Sequence, residues 1–155
     1  MKTPVAIKNV LDSIFRRKGL ETAQTKIFEN FPEPVKSGIA ELAKLRSDEL
    51  PVLASVAAGD RWLLITTQRV CFYCAGKMDS CNVSELTGVA MALSIDASAG
   101  ATKKNDLKHL RLIMESNPEF MIEVENGRPY VGIWNTLLYF VALNKKMLKG
   151  VGNVQ

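Results

Sequence analysis

The spacing of apolar residues changes near Leu50 and Pro51. Before this point, apolar residues recur every three or four positions, a period that is typical of helices. After it, short runs alternate between apolar and polar residues, as strands with one buried face do. The pattern therefore predicts a helical N-terminal segment over residues 1–50 and a mainly β domain over residues 51–150 that ends in a helix.

Three apolar stripes predict the helices of the N-terminal segment, at residues 4–18, 20–31 and 35–45. The first ends in three basic residues before Gly19, where the helix dipole favours cations. Two prolines at positions 32 and 34 terminate the second, because proline does not fit a helix interior. The first third of the chain is thus predicted to be helical.

The β domain is predicted to contain about seven short strands, at residues 52–57, 61–66, 69–74, 82–86, 89–95, 107–115 and 119–125. Polar segments at 75–79 and 96–106 are predicted to be loops. In the run 107–115, Leu110, Leu112 and Met114 fall on one face of the strand. From Tyr130 to about Leu148 the pattern becomes helical and is apolar around most of the helix.

The most informative motif is the sequence GDRWLLITTQRVCFY at residues 59–73, two β-branched and aromatic runs joined at a Thr-Thr-Gln-Arg corner. It resembles the hairpin of bacterial pleckstrin-homology-like (PH-like) and GRAM domains. The sequence VSELTGV at residues 83–89 resembles the element that follows this hairpin. The resemblance covers residues 51–146 and leaves the helical first third unmatched.

The resemblance implies an α+β fold with a partly open antiparallel β-barrel of about seven strands. A C-terminal helix caps the barrel, and the N-terminal helices form an extension. Members of this superfamily bind phosphoinositides, other lipids, peptides or proteins, so the fold does not define the ligand. A phosphoinositide site usually needs several basic residues in the loop between the first two strands. Here that loop is Ala58-Gly59-Asp60, which argues against such a site.

Arg69 is the most recognisable single position in the hairpin, and it has two interpretations. It is either a cation that faces a ligand or a residue that stabilises the turn through hydrogen bonds to nearby carbonyls or a carboxylate. The second interpretation is favoured because Arg69 flanks the turn.

The densest basic group of the β domain is a candidate site for an anion or a lipid headgroup, formed by Lys77, Lys103, Lys104, Lys108 and Arg111. A solvated polar face is the alternative explanation of such a charge run. Nucleic-acid binding is not favoured, because no aromatic residue lies between the basic residues over 103–111.

The three cysteines and the single histidine suggest neither a metal site nor catalysis. Cys71 and Cys74 have metal-like spacing, but residues three apart on a strand point to opposite faces. Cys81 and His109 complete a site only if the fold brings them close. We expect reduced thiols, no metal, no cofactor and no enzymatic activity, because the sequence contains no recognisable nucleophile motif or phosphate loop.

The C-terminal helix has more apolar surface than one buried face requires. Trp134, Leu138 and Tyr139 remain after the face that caps the barrel is assigned. Either the N-terminal helices cover them, or they form a partner-binding surface, where Trp and Tyr are enriched.

The charge and the apolar runs of the chain bear on where the protein is located. The net charge of +4 is spread over the chain, and the N-terminus lacks the apolar run of a signal peptide, so a cytoplasmic location is expected. The longest apolar run, residues 130–143, is shorter than the ~20 residues that span a bilayer.

Two hypotheses for function remain. The favoured hypothesis is a protein-interaction module that binds another protein or a second copy, for example an inhibitor or immunity-type protein that masks a toxin. The alternative is a peripheral module that binds lipids or an anionic membrane, with the basic residues 16–18 beside Phe15.

Overall fold

The computed structural model describes residues 2–58, 60–98, 100, 103, 106–116 and 119–152. The helices are α1 Pro4–Lys18, α2 Glu33–Ala43, α3 Leu93–Ser98 and α4 Arg128–Gly152. The strands are β1 Thr25–Ile27, β2 Pro51–Ala57, β3 Arg61–Thr66, β4 Arg69–Cys74, β5 Lys77–Asn82, β6 Leu86–Met91, β7 His109–Met114 and β8 Phe120–Glu123. Two 3-10 turns lie at Phe28–Asn30 and Val83–Glu85.

The strands form two antiparallel sheets. The first contains five strands in the order β1-β2-β3-β4-β5, and the second contains β6-β7-β8. Across the described strands no closed barrel forms. The predicted α+β class, with antiparallel strands, a helix at the N-terminus and a long C-terminal helix, is confirmed.

Strand β3, in the middle of the five-stranded sheet, is buried on both faces, which explains its continuous apolar run. Leu63 and Ile65 join the main core, which also contains residues of α1, the three-stranded sheet and α4. Trp62 and Leu64 point to a second core beneath α2 and the first 3-10 turn. A strand whose two faces are both covered loses the polar alternation of a half-exposed strand.

The N-terminal segment is joined to the β domain by contacts on both faces of the sheet. Helix α1 packs against α4, and β1 pairs with β2 through registers such as Ile27 opposite Leu53. Helix α2 covers the second core with Ile39 and Ala43. The division of the chain at residues 50 and 51 stays a prediction.

The predicted second helix, over residues 20–31, is wrong. Its residues form β1 and a 3-10 turn, and the Glu21 carboxylate accepts a hydrogen bond from the backbone N–H of Ile27 at 2.9 Å. Ile27 lies in the main core, whereas Phe28 and Phe31 lie in the second core. One helix face would direct these side chains to one core, so pairing with β2 decides the structure here.

Four predictions in the β domain are also wrong, at least in part. The predicted loop at 75–79 is a two-residue turn, Ala75-Gly76, followed by β5; both turn residues have positive φ, as a type I′ hairpin requires. The predicted strand at 82–86 is largely a 3-10 turn. The predicted strand at 89–95 ends at Met91, and α3 occupies part of the predicted loop at 96–106.

Several predictions are confirmed. Helix α1 has the predicted bounds, because the Thr3 hydroxyl accepts a hydrogen bond from the N–H of Ala6 and a proline occupies the first turn. The 61–66 and 69–74 hairpin forms as predicted. Gly59 of the hairpin motif, Lys104 of the basic group and residues 117 and 118 lie outside the described residues.

Candidate functional site

Arg69 ties the hairpin corner to the end of α2. Its Nε and one terminal nitrogen donate to the two carboxylate oxygens of Glu49 at 2.9 and 2.8 Å. The same terminal nitrogen donates to the carbonyls of Ala43 and Lys44, at 2.9 and 3.3 Å. These carbonyls lie at the C-terminal end of α2, where backbone carbonyls have no N–H partner within the helix. Arg69 is only 7% exposed, so its structural interpretation is confirmed.

Thr66 completes this corner. Its hydroxyl donates to Glu49 at 2.6 Å and accepts from the N–H groups of Gln68 and Arg69 at 3.0 and 2.8 Å. Burial would raise the pKa of Glu49, but the hydrogen bonds from Arg69, Thr66 and the backbone of Arg46 hold that pKa below its ordinary value. The Thr-Thr-Gln-Arg motif therefore encodes a charged, buried clamp.

The candidate anion-binding residues are distributed over two sheets. Lys77 begins β5 in the five-stranded sheet, whereas Lys108 precedes β7 and Arg111 lies within it. The side chain of Arg111 approaches Glu119, with Nε 3.7 Å from the carboxylate. Lys103 is exposed in the segment before β7. Anion binding by this group stays a prediction.

His109 is held by Asp96, a carboxylate of α3 that is 1% exposed. The Nδ1 atom of His109 lies 2.7 Å from one oxygen of Asp96, and the other oxygen accepts the N–H groups of Lys108 and His109 at 3.2 Å each. Burial would raise the pKa of Asp96, but these contacts lower it. Tyr130 at the start of α4 donates to the carbonyl of His109 at 3.0 Å, and burial raises the pKa of Tyr130 to about 12.

The second ring nitrogen of His109 faces an ion pair between the two sheets. Nε2 lies 3.9 Å from the carboxylate of Glu123, and Arg61 of β3 donates to that carboxylate at 2.7 Å. A cavity of about 30 Å³ beside Arg61, Glu123 and Ser55 has room for roughly one water molecule. An imidazole oriented by a buried carboxylate is also found in catalytic sites. Here the second ring nitrogen lies 3.9 Å from a carboxylate that Arg61 already pairs with, so a catalytic role for His109 stays untested.

The cysteines lie in apolar surroundings. Cys71 belongs to the second core, whereas Cys81 packs against the main core, on the other face of the sheet. Burial raises the pKa of Cys71 to about 11 and that of Cys81 to about 12, which disfavours the thiolate that a nucleophile or metal ligand needs. Within the described ranges, no group of three His, Cys, Asp or Glu side chains is placed to hold a metal ion.

An open groove of about 620 Å³ lies between α1, the C-terminal half of α4 and the second 3-10 turn. Its apolar lining consists of Ile7, Val83, Phe140, Leu143 and Met147. The four α4 residues that line the groove, 140, 143, 144 and 147, are spaced to share one helix face. That spacing is present in the sequence and is the signal by which the groove wall was predictable.

The polar part of the groove lies at its walls. Asn144 of α4 donates both side-chain N–H groups, to the carbonyls of Val83 at 2.8 Å and Leu86 at 2.9 Å, and so joins the helix to the 3-10 turn. Lys2 also lines the groove, and its ammonium donates to the hydroxyl of Tyr139 at 3.2 Å. The nitrogen lies 5.5 Å from the centroid of the Tyr139 ring.

The three predicted partner-binding residues differ in their environment. Tyr139 is covered in part by the start of α1 through Lys2. Trp134 is half-buried against the main core, and Leu138 remains 37% exposed one turn later. Helix α1 thus packs on α4, Leu138 stays exposed, and partner binding by these three residues stays a prediction.

The helices of the described chain include none with both the length and the apolar character needed to cross a membrane. Comparison of the sequence with protein-family models and with curated proteins finds no match to either.

Proposed function

We propose that the protein is a non-catalytic binding module on a PH-like scaffold and that its ligand is another protein. The support for the scaffold is the order of elements after residue 50: seven strands in two antiparallel sheets, interrupted by the short α3 between β6 and β7 and followed by one long helix. This order matches the one that the hairpin resemblance implies.

The observation that carries the proposed function is the partly exposed apolar strip on α4 that Trp134 and Leu138 form. Trp134 and Leu138 are four positions apart and therefore lie on the same helix face. Leu138 is 37% exposed although α1 already packs against α4. A Trp and a Leu at helical spacing supply the aromatic and aliphatic anchors that protein interfaces use.

A pull-down from a native lysate with a matched pair of variants tests this proposal. Leu138→Arg places a charge on the strip, whereas Leu42→Arg alters a leucine of α2 that is 47% exposed. We expect one stoichiometric partner with the unmodified protein and with Leu42→Arg, and its loss with Leu138→Arg. Retention of the partner by Leu138→Arg, or no partner in any sample, contradicts the proposal.

Peripheral binding to an anionic membrane is the second candidate function. Met147 and Leu148 are 59% and 64% exposed, and Lys145, Lys146 and Lys149 lie beside them on α4. Exposed apolar side chains among lysines favour contact with an anionic bilayer surface. The basic residues 16–18 at the end of α1, which the sequence suggested as a membrane contact, do not have this combination, because Phe15 beside them is fully buried.

Sedimentation with vesicles tests the second candidate. If it is right, the protein sediments with vesicles that contain phosphatidylserine at low salt, and Met147→Asp with Leu148→Asp abolishes this. Equal sedimentation with neutral phosphatidylcholine vesicles, or none with either, contradicts it.

A further inference from the structure

We infer that the groove between α1 and α4 binds one molecule of a single-chain anionic amphiphile, with its hydrocarbon chain along α4 and its carboxylate at Lys2. The groove lies on a different face of α4 from the Trp134 and Leu138 strip. This binding function is therefore additional to the proposed protein interaction.

The size and lining of the groove suit a hydrocarbon chain. Its volume of about 620 Å³ falls in the range of roughly 300–1,000 Å³ that small-molecule sites occupy. Ile7, Phe140, Leu143 and Met147 supply apolar surface along its length. Met147 is unbranched and flexible, so it adapts its shape to a chain that lies beside it.

The charge of the groove selects an anion. Lys2 is the charged residue among the described residues that line it, and no Asp or Glu lines it. In the part of the chain that the structure describes, no carboxylate lies within 4.0 Å of the Lys2 ammonium. The contact with Tyr139 holds this ammonium without neutralising it. A carboxylate at the end of an apolar chain matches such a cation.

The hydrogen-bonding groups of the groove favour a hydrocarbon chain over a peptide. A bound peptide brings backbone N–H and C=O groups that need partners once they are buried. The Asn144 side chain already donates both of its N–H groups to Val83 and Leu86. Thr67 and Ser84 add two hydroxyl groups to a wall that is otherwise mainly apolar, and a hydrocarbon chain requires no hydrogen bonds from that wall.

Isothermal titration calorimetry with dodecanoate, kept below its critical micelle concentration, tests the inference. We expect one molecule to bind per chain, and dodecyltrimethylammonium, which has the same chain and the opposite charge, to bind more weakly. Failure of dodecanoate to bind, or equal or tighter binding of the cationic amphiphile, overturns the inference. Sedimentation with phosphatidylserine vesicles without dodecanoate binding overturns it as well.

Two variants locate the site. Met147→Glu should weaken dodecanoate binding on the order of tenfold, because it removes apolar contact area and adds a like charge. Leu148→Glu is the matched control, since Leu148 is next to Met147 in the chain and is similarly exposed but does not line the groove. If both variants weaken dodecanoate binding equally, the groove is not the binding site and the inference is overturned.

Lys2→Gln tests the position of the carboxylate. It should weaken dodecanoate binding about two- to fivefold, the worth of a solvent-accessible ion pair. It should leave the binding of uncharged dodecanol unchanged, whereas equal loss for both ligands contradicts a carboxylate at Lys2. Leu138→Arg should bind dodecanoate normally, so failure of the protein-interaction proposal and failure of this inference are separate results.

Discussion

Gly132 of α4 packs directly against Gly19 at the end of α1. A Cβ atom on Gly132 would lie 2.6 Å from the Cα of Gly19 and 2.8 Å from the ring of Phe15. Such distances are well inside van der Waals contact, so the two backbones meet only because both residues lack side chains. This contact places α1 against α4, and the groove lies farther along the same pair of helices.

Gly132→Ala is therefore expected to destabilise the protein by about 1–3 kcal/mol, the usual cost of overpacking. Gly150→Ala is the control, since nothing lies within 4 Å of a Cβ at that position of the same helix. That change should be neutral or slightly stabilising, because alanine favours the helix. Urea unfolding measures both, and an equal effect of the two changes contradicts the close contact.

The buried pair of Arg69 and Glu49 leads to the second prediction. Arg69→Ala should lower the free energy of unfolding by about 3–5 kcal/mol, because it leaves the buried Glu49 carboxylate without its cation and the carbonyls at the end of α2 without a donor. Arg46→Ala, which removes an exposed hydrogen bond to Gln68, should cost less than about 1 kcal/mol. Denaturant unfolding of the two variants separates these outcomes. A loss for Arg69→Ala as small as the loss for Arg46→Ala would show that the clamp contributes little.

Stability should depend on pH through Glu49 and Asp96. The folded structure lowers the pKa of both carboxyl groups relative to the unfolded chain. Their contribution is therefore fully present above the ordinary carboxyl pKa of about 4 and is lost as the pH falls through the lowered folded values. Urea midpoints should stay nearly constant from about pH 6 to about pH 5 and should fall as the pH is lowered from about 4 to about 2.5. Glu49→Gln should reduce this slope, and an unchanged slope contradicts the assignment to Glu49.

Asn144 provides a prediction about the wall of the groove. Asn144→Asp should destabilise the protein by about 1–3 kcal/mol, because it replaces a double donor with an acceptor that faces the carbonyls of Val83 and Leu86. Asn135→Ala, which loses a bond to Val131 within its own helix, should have a smaller effect. Thermal unfolding of both variants is the measurement. A smaller loss for Asn144→Asp than for Asn135→Ala would show that the bridge is not stabilising.

Local signals in the sequence predicted α1 and the β3–β4 hairpin correctly. The capping residue Thr3 contacts Ala6, and the Thr66 hydroxyl contacts residues two and three positions later. Arg69 was likewise assigned to the turn from its position. The contacts of Thr3 and Thr66 join neighbours in the chain, so a short stretch of sequence contains both partners. The side chain of Arg69, by contrast, bonds to Glu49 and Ala43, which lie 20 and 26 positions away.

The segment at residues 20–31 shows where local reading fails. Its apolar spacing is compatible with a helix, yet Thr25–Ile27 pairs with β2, nearly thirty positions away. The pairing also sends Ile27 and Phe28 to different cores. The gain from completing a sheet edge and burying side chains in two cores outweighs a weak helical preference.

The amino-acid sequence alone determined the α+β class, the approximate number of strands, the first helix and the apolar excess of the last one. Only the tertiary structure decided that Glu49 is the partner of Arg69, that Gly19 meets Gly132, and that Lys2 reaches a groove beside Met147. The physical reason is the range of the interactions. Caps, turns and periodicity act over a few residues, whereas these contacts join positions that become neighbours only after helices and sheets pack together.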